Sequence, residues 1–177
     1  MMVMNPRWLL YVACCVAAAA LARGQRPQPR PRDAVETVKR YVALRLQGSP
    51  WADFASLIAW EDEPGWDTYW LVNRYTVGTA EKKGSTVTVP VTYHRLGLYS
   101  HDFIFKPQIQ DVTLRYEVLL TSSGWVIEGP GPQSGWPYLS VEYQIDALRD
   151  NQYAPAEWRK EAETMAQKLS ELSRTKR

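Results

Sequence analysis

Cysteine and histidine are both scarce in this 177-residue chain, at two residues each. Cys14 and Cys15 are adjacent and lie inside an apolar N-terminal run, so the rest of the chain has no disulfide framework to draw on. A structural zinc site needs four nitrogen or sulfur ligands, which two histidines cannot supply without carboxylates. There is no HExxH, no GxSxG, no phosphate-cradling glycine loop and no dinucleotide fingerprint. These gaps weigh against metal-dependent hydrolases, nucleotidyl enzymes and dehydrogenases, and neither a metal nor a cofactor is expected. Charge of one sign is lacking too. With 21 Lys+Arg against 19 Asp+Glu, net +2, the chain has no basic excess of the kind that binds nucleic acid. A mean hydropathy of −0.38 excludes a polytopic membrane protein. What is abundant is tryptophan, at eight residues, and so many aromatics argue against disorder.

The one long apolar run lies at the N-terminus. Met1 to Arg7 carries a single positive charge, and Trp8 to Ala22 is uncharged. Ala20-Leu21-Ala22 then puts small residues where a signal peptidase reads, ahead of a polar Arg23-Gly24-Gln25. This is the three-part layout of a cleavable secretory signal over residues 1–22. Its apolar part is shorter than the roughly 20 residues of a spanning helix, although an uncleaved anchor is the alternative. Residues 1–22 hold Arg7 and no acid, so their removal leaves 20 basic residues against 19 acidic ones, seven tryptophans and no thiol. The expected location is secreted or periplasmic. Residues 23–32, RGQRPQPRPR, read as an extended spacer, or as a short basic arm toward an anionic surface.

The folded region is expected to begin at Asp33, where Asp33 and Glu36 have capping-box spacing. Val35, Val38, Tyr41 and Val42 share one face of a helix that stops at Gly48, and a second short helix starts at Ser49-Pro50 with Phe54, Leu57 and Ile58 as its stripe. From Tyr69 the period becomes two. Val87, Val89, Val91 and Tyr93 alternate with threonines and His94, and Val112, Leu114, Tyr116, Val118 and Leu120 alternate with polar residues. Thr121 to Gly124 is a turn into a partner strand carrying Trp125 and Ile127. One apolar face per strand predicts an antiparallel sheet packed on one side. Pro90 places its strand at an edge or a bulge. Val141, Ile145 and Leu148 form a short helical stripe beyond a Gly/Pro loop at 129–137. A last helix carries Trp158, Ala162, Met165, Leu169 and Leu172, which pack back on the domain or pair with a second copy. The expected divisions are 1–22 signal, 23–32 linker, 33–150 α+β domain and 151–177 amphipathic helix with a basic tail.

Two N-terminal helices followed by a curved antiparallel sheet resemble the cone of the NTF2-like superfamily, to which SnoaL-like proteins also belong. The resemblance covers roughly residues 33–129 and rests on element order. It implies a cystatin-like α+β cone with a pocket between helices and sheet. Members use that pocket to bind small molecules, to catalyse isomerisation or dehydration with an Asp, His or Tyr, or to hold other proteins.

Chemistry-bearing residues concentrate in Trp60-Glu-Asp-Glu-Pro-Gly-Trp66-Asp67, four carboxylates and two indoles at the junction of helices and sheet. They read as a cleft rim, or as a core plug with capping acids. His94 shares the outward parity of Thr92, which makes it a poor enclosed base. His101 lies in a long connection between Gly97 and Asp111. The leading expectation is an exported, non-catalytic domain whose pocket is lined by Tyr93, Tyr116 and Trp125 and closed by Trp60, Trp66 and Asp67. Its ligand would be a small apolar molecule or a protein segment. The alternatives are a cofactor-free lyase or isomerase using Asp67, Tyr93 or His101, and an envelope assembly protein dimerising through Trp158, Met165, Leu169 and Leu172.

Overall fold

In the computed structural model, residues 32–60, 67–100, 103–131, 137–150 and 155–175 are described. Helix α1 spans Ala34–Leu46. Asp33 Oδ1 accepts from the Glu36 amide at 2.8 Å, and Glu36 reaches back to accept from Arg32 N at 2.6 Å, so the first free amides are satisfied from both sides. Ala34, Thr37, Val38, Tyr41, Val42 and Leu46 are its buried face. Gly48 ends it with φ +65°, where the Tyr143 ring is so close that a Cβ would fall 2.3 Å from it. The short α2, Trp51–Phe54, and a 3₁₀ turn at Ala55–Leu57 then bury Phe54, Leu57 and Ile58.

Six strands follow: β1 Thr68–Val77, β2 Glu81–Lys83, β3 Thr86–Ser100, β4 Ile104–Thr121, β5 Gly124–Gly129 and β6 Tyr138–Ser140. The sheet runs β5-β4-β3-β1-β6, with β2 beside the start of β3. It curls into a half-barrel around α1, a cone-like α+β arrangement. At its β5 edge, Ile58 bridges Ile127 and the Ala59 amide donates to Ile127 O at 2.9 Å. Five strands pair antiparallel as expected. The exception is β6, which lies parallel to β1 because the chain crosses from the β5 edge to the opposite edge before pairing again.

Two expectations about β3 change. It is an interior strand, not an edge. The Pro90 carbonyl accepts from Gly78 N at 2.8 Å, so the proline nitrogen points the same way, toward the gap between the end of β1 and the start of β2 where no ladder amide is needed. The long connection from Gly97 to Asp111 is itself strand: β3 continues to Ser100, β4 begins at Ile104, and Phe103 turns the tip with φ +56°.

The sheet is also covered on both faces at one end. Register shifts lie at Val72–Arg74 in β1 and at Arg95–Gly97 in β3. Before its shift β3 sends Val87, Val89, Val91 and Tyr93 into a core with α1; after it, Leu96 and Tyr99 enter a second core. In β1, Val72 serves the first core and Leu71 the second. An extra residue flips which side the following residues face, so one strand furnishes both. A third shift, at Glu117–Val118 opposite β5, accompanies Leu120 being 63% exposed instead of inward.

The second core is closed by α3, Val141–Arg149, and α4, Ala156–Thr175. Ser140 caps α3, its Oγ accepting from Tyr143 N at 3.2 Å. Ala162, Ala166 and Leu169 of α4 are buried and Met165 and Leu172 pack beside them, so α4 folds back on its own chain. Leu169 is therefore inside, and Trp158 is the exposed member of the stripe, edge-on to Phe103 at 6.1 Å. Among the described residues, no helix is long and apolar enough to cross a membrane.

Candidate functional site

The concave face of the sheet carries a continuous aromatic cluster. Its register puts Tyr75 of β1 opposite Tyr93 of β3, with ring centres 6.4 Å apart. Tyr93 stacks on Tyr138 of β6 at 4.2 Å and 12°, reaching across β1. The Tyr93 and Tyr116 hydroxyls hydrogen-bond at 2.8 Å. Tyr41 of α1 meets Tyr116, Phe54 and Trp60 edge-on at 5.9, 5.8 and 6.0 Å. At the other end, the Arg95 guanidinium packs 4.2 Å from the Trp70 ring and 4.9 Å from that of Tyr138, and its Nη2 donates to the Tyr138 phenol.

The sequence candidates fall into this frame unevenly. Tyr93 and Tyr116 are brought together and are 2% and 4% exposed, and Trp125 and Trp60 pack half-buried against the same core. Asp67 is exposed and acts on Tyr69, whose phenol is raised by burial and then by that carboxylate. Trp66 and His101 lie outside the described residues. His94 faces the other side of β3, as its parity implies, with Nδ1 2.5 Å from Asp111 Oδ1. Sequence reading missed Tyr75, Arg95 and Tyr138. Arg95 was within reach, because it sits two residues past Tyr93 on the same side of β3; Tyr138 lies in a three-residue strand that gives no periodic signal.

Electrostatically the phenols of the cluster are held neutral. Burial pushes the Tyr93 phenol far up, an effect the Tyr116 hydrogen bond only partly opposes. Burial dominates at Tyr116 as well. Tyr138 is raised by burial and pulled back by Arg95. A phenol that stays protonated can donate and accept hydrogen bonds and stack on a ligand, but it is a poor base near neutral pH. Among the described residues, no group of three His, Cys, Asp or Glu could hold a metal.

Beside the cluster lies a groove of about 380 Å³. Its walls are the last turn of α1 (Ala43, Leu46, Gln47), Val72 to Tyr75 of β1, and Ser140 with Glu142 where β6 passes into α3. It forms because β6 pairs with β1 only at residues 70–72, leaving the following stretch of β1 open toward α1. Asn73 Oδ1, at the β1 register shift, is buried without a partner among the described residues.

No family model, curated protein or solved structure matches the chain.

Proposed function

We propose that the chain is an exported, non-catalytic binding domain of the cone type, similar in architecture to NTF2-like proteins, that takes a small amphipathic molecule into the groove between α1, β1 and α3. The groove carries this reading. Its volume lies at the lower end of the roughly 300–1,000 Å³ of small-molecule sites. It combines an apolar wall of Ala43, Leu46 and Val72 with polar groups from Gln47, Asn73, Ser140 and Glu142. The tyrosines expected to line a pocket instead fill the concave face with their own rings, and their neutrality supports holding over catalysis. Residues 1–22 act as the export signal in this reading.

The test is a thermal melt with indole as the probe. Binding to the folded state raises Tm with probe concentration. The rise should disappear in Ala43→Trp, which fills the groove, and persist in Asp67→Asn and His101→Ala. A chain whose Tm ignores indole, or whose response survives Ala43→Trp, does not bind at this groove. Loss of the response in Asp67→Asn would point to the loop at 60–67 instead.

A further inference from the structure

Arg95 is a half-buried cation whose charge no described side chain balances. It projects from β3 on the concave side, opposite Val72 of β1. Its polar partner is the neutral phenol of Tyr138, and its guanidinium lies against the rings of Trp70 and Tyr138. Among the described residues, its buried Nε has no acceptor. Ion pairs elsewhere join His94 to Asp111, Arg115 to Glu81 and Arg149 to Glu163; among the described residues no carboxylate pairs with Arg95.

Withdrawing a guanidinium from water is unfavourable unless a counter-charge or hydrogen bonds replace the lost hydration. Ring faces compensate for part of this, and one phenol occupies one N–H. Buried donors in folded proteins almost always find acceptors, so the buried Nε–H calls for an oxygen from outside the described side chains, which the adjoining terminal N–H can share. The fork of a guanidinium is planar and matches the two oxygens of a carboxylate, which it can grip in parallel. The rings of Trp70 and Tyr138 beside the cation offer apolar surface for whatever carbon skeleton the anion carries.

We propose that Arg95, with Trp70 and Tyr138, forms a binding site for a small organic carboxylate. The site is independent of the groove, since none of these three residues lines it. A single arginine flanked by aromatic rings favours a monoanion with a flat apolar body over inorganic phosphate, which would call for more than one cation and gains nothing from the rings.

The experiment follows the Arg95 Nε–H signal by NMR in chloride-free buffer, with benzoate in one arm and inorganic phosphate in the other. Benzoate should shift the signal saturably, and phosphate should bind at least about tenfold more weakly. Arg95→Lys, which keeps the charge and loses the fork, should weaken benzoate by about tenfold or more, and Arg95→Gln should abolish binding. Three results would each overturn the proposal: an unmoved Nε–H signal through about 20 mM benzoate, phosphate binding as tightly as benzoate, or a folded Arg95→Gln that still binds. Should the Arg95 variants prove unfolded, the wild-type titration decides between these outcomes by itself.

Discussion

The hydroxyl pair of Tyr93 and Tyr116 gives a sharp test of how the concave face is held. The oxygens are 2.8 Å apart, and each side chain is under 5% exposed. Tyr93→Phe alone leaves the Tyr116 hydroxyl buried with nothing to bond, and Tyr116→Phe does the same to Tyr93. Each single change should cost about 1–3 kcal/mol, the penalty for an unsatisfied buried hydroxyl. The double change removes both polar groups while keeping both rings, so its cost should be close to zero. Additivity therefore fails by about 2 kcal/mol or more, far outside the few tenths expected of independent sites. Urea unfolding followed by circular dichroism measures this, with equal m-values showing that the same transition is being compared. For a chain of this size each kcal/mol corresponds to about 2–4 °C in Tm, which provides a second readout. If the double variant loses the sum of the two single losses, the hydroxyls do not depend on each other and the pairing argument is wrong.

The raised phenols make stability sensitive to alkali. Tyr93 and Tyr116 are held well above the usual value, and burial pushes Tyr99 up to about 12. In the unfolded chain each ionises near pH 10, so their contribution is intact below that pH and is lost as pH climbs above it. Once the unfolded phenols are ionised, each phenol kept neutral contributes a slope of about 1.4 kcal/mol per pH unit, so the three together approach about 4 kcal/mol per unit near pH 11. The Tyr93→Phe/Tyr116→Phe variant should lose the share of these two phenols, about 2.7 kcal/mol per pH unit near pH 11, in alkaline unfolding; an unchanged slope would assign the alkaline sensitivity to other groups. Gly48→Ala should destabilise by about 1–2 kcal/mol from the left-handed backbone alone. Contact with Tyr143 adds to this, and that added part should vanish in a Tyr143→Ala background; a neutral Gly48→Ala would mean that the α1 terminus relaxes freely.

Much of the helical layer was readable because its signals are local. Asp33, Glu36 and Gly48 mark the ends of α1, and the 3–4 spacing of Val38, Tyr41 and Val42 marks its inner face. The inward set of β3 from Val87 to Tyr93 followed from alternation for the same reason. Beyond a register shift, parity counted from the sequence points the wrong way. Nothing in Asn73 or Leu96 announces the extra residue, so the second face of the sheet and the role of Leu96 were hidden. The parallel strand β6 escaped notice because three residues carry no period and its partner lies nearly seventy positions earlier. In the candidate site, Tyr93 and Tyr116 could be placed on one face from their own strands. Their union with Arg95, Trp70 and Tyr138 depends on strand order, which is a property of the whole sheet.

The two register shifts also bear on how the domain comes apart. Because β3 and β1 each pass from one core to the other, the α1 side and the α3–α4 side share a common spine. Neither can melt while leaving the other intact unless these strands are broken in their middles, and β3 is paired with β4 on one edge and with β1 or β2 on the other both before and after its shift. Amides along β3 should therefore exchange with solvent through a single global opening, whereas the exposed parts of α4 and the hairpin tip at Phe103 can open on their own. The helices appended after the sheet are thus coupled to the rest of the molecule through the strand they cover, and a weakness introduced beneath them at Leu96 or Tyr99 would be felt as lowered stability at α1.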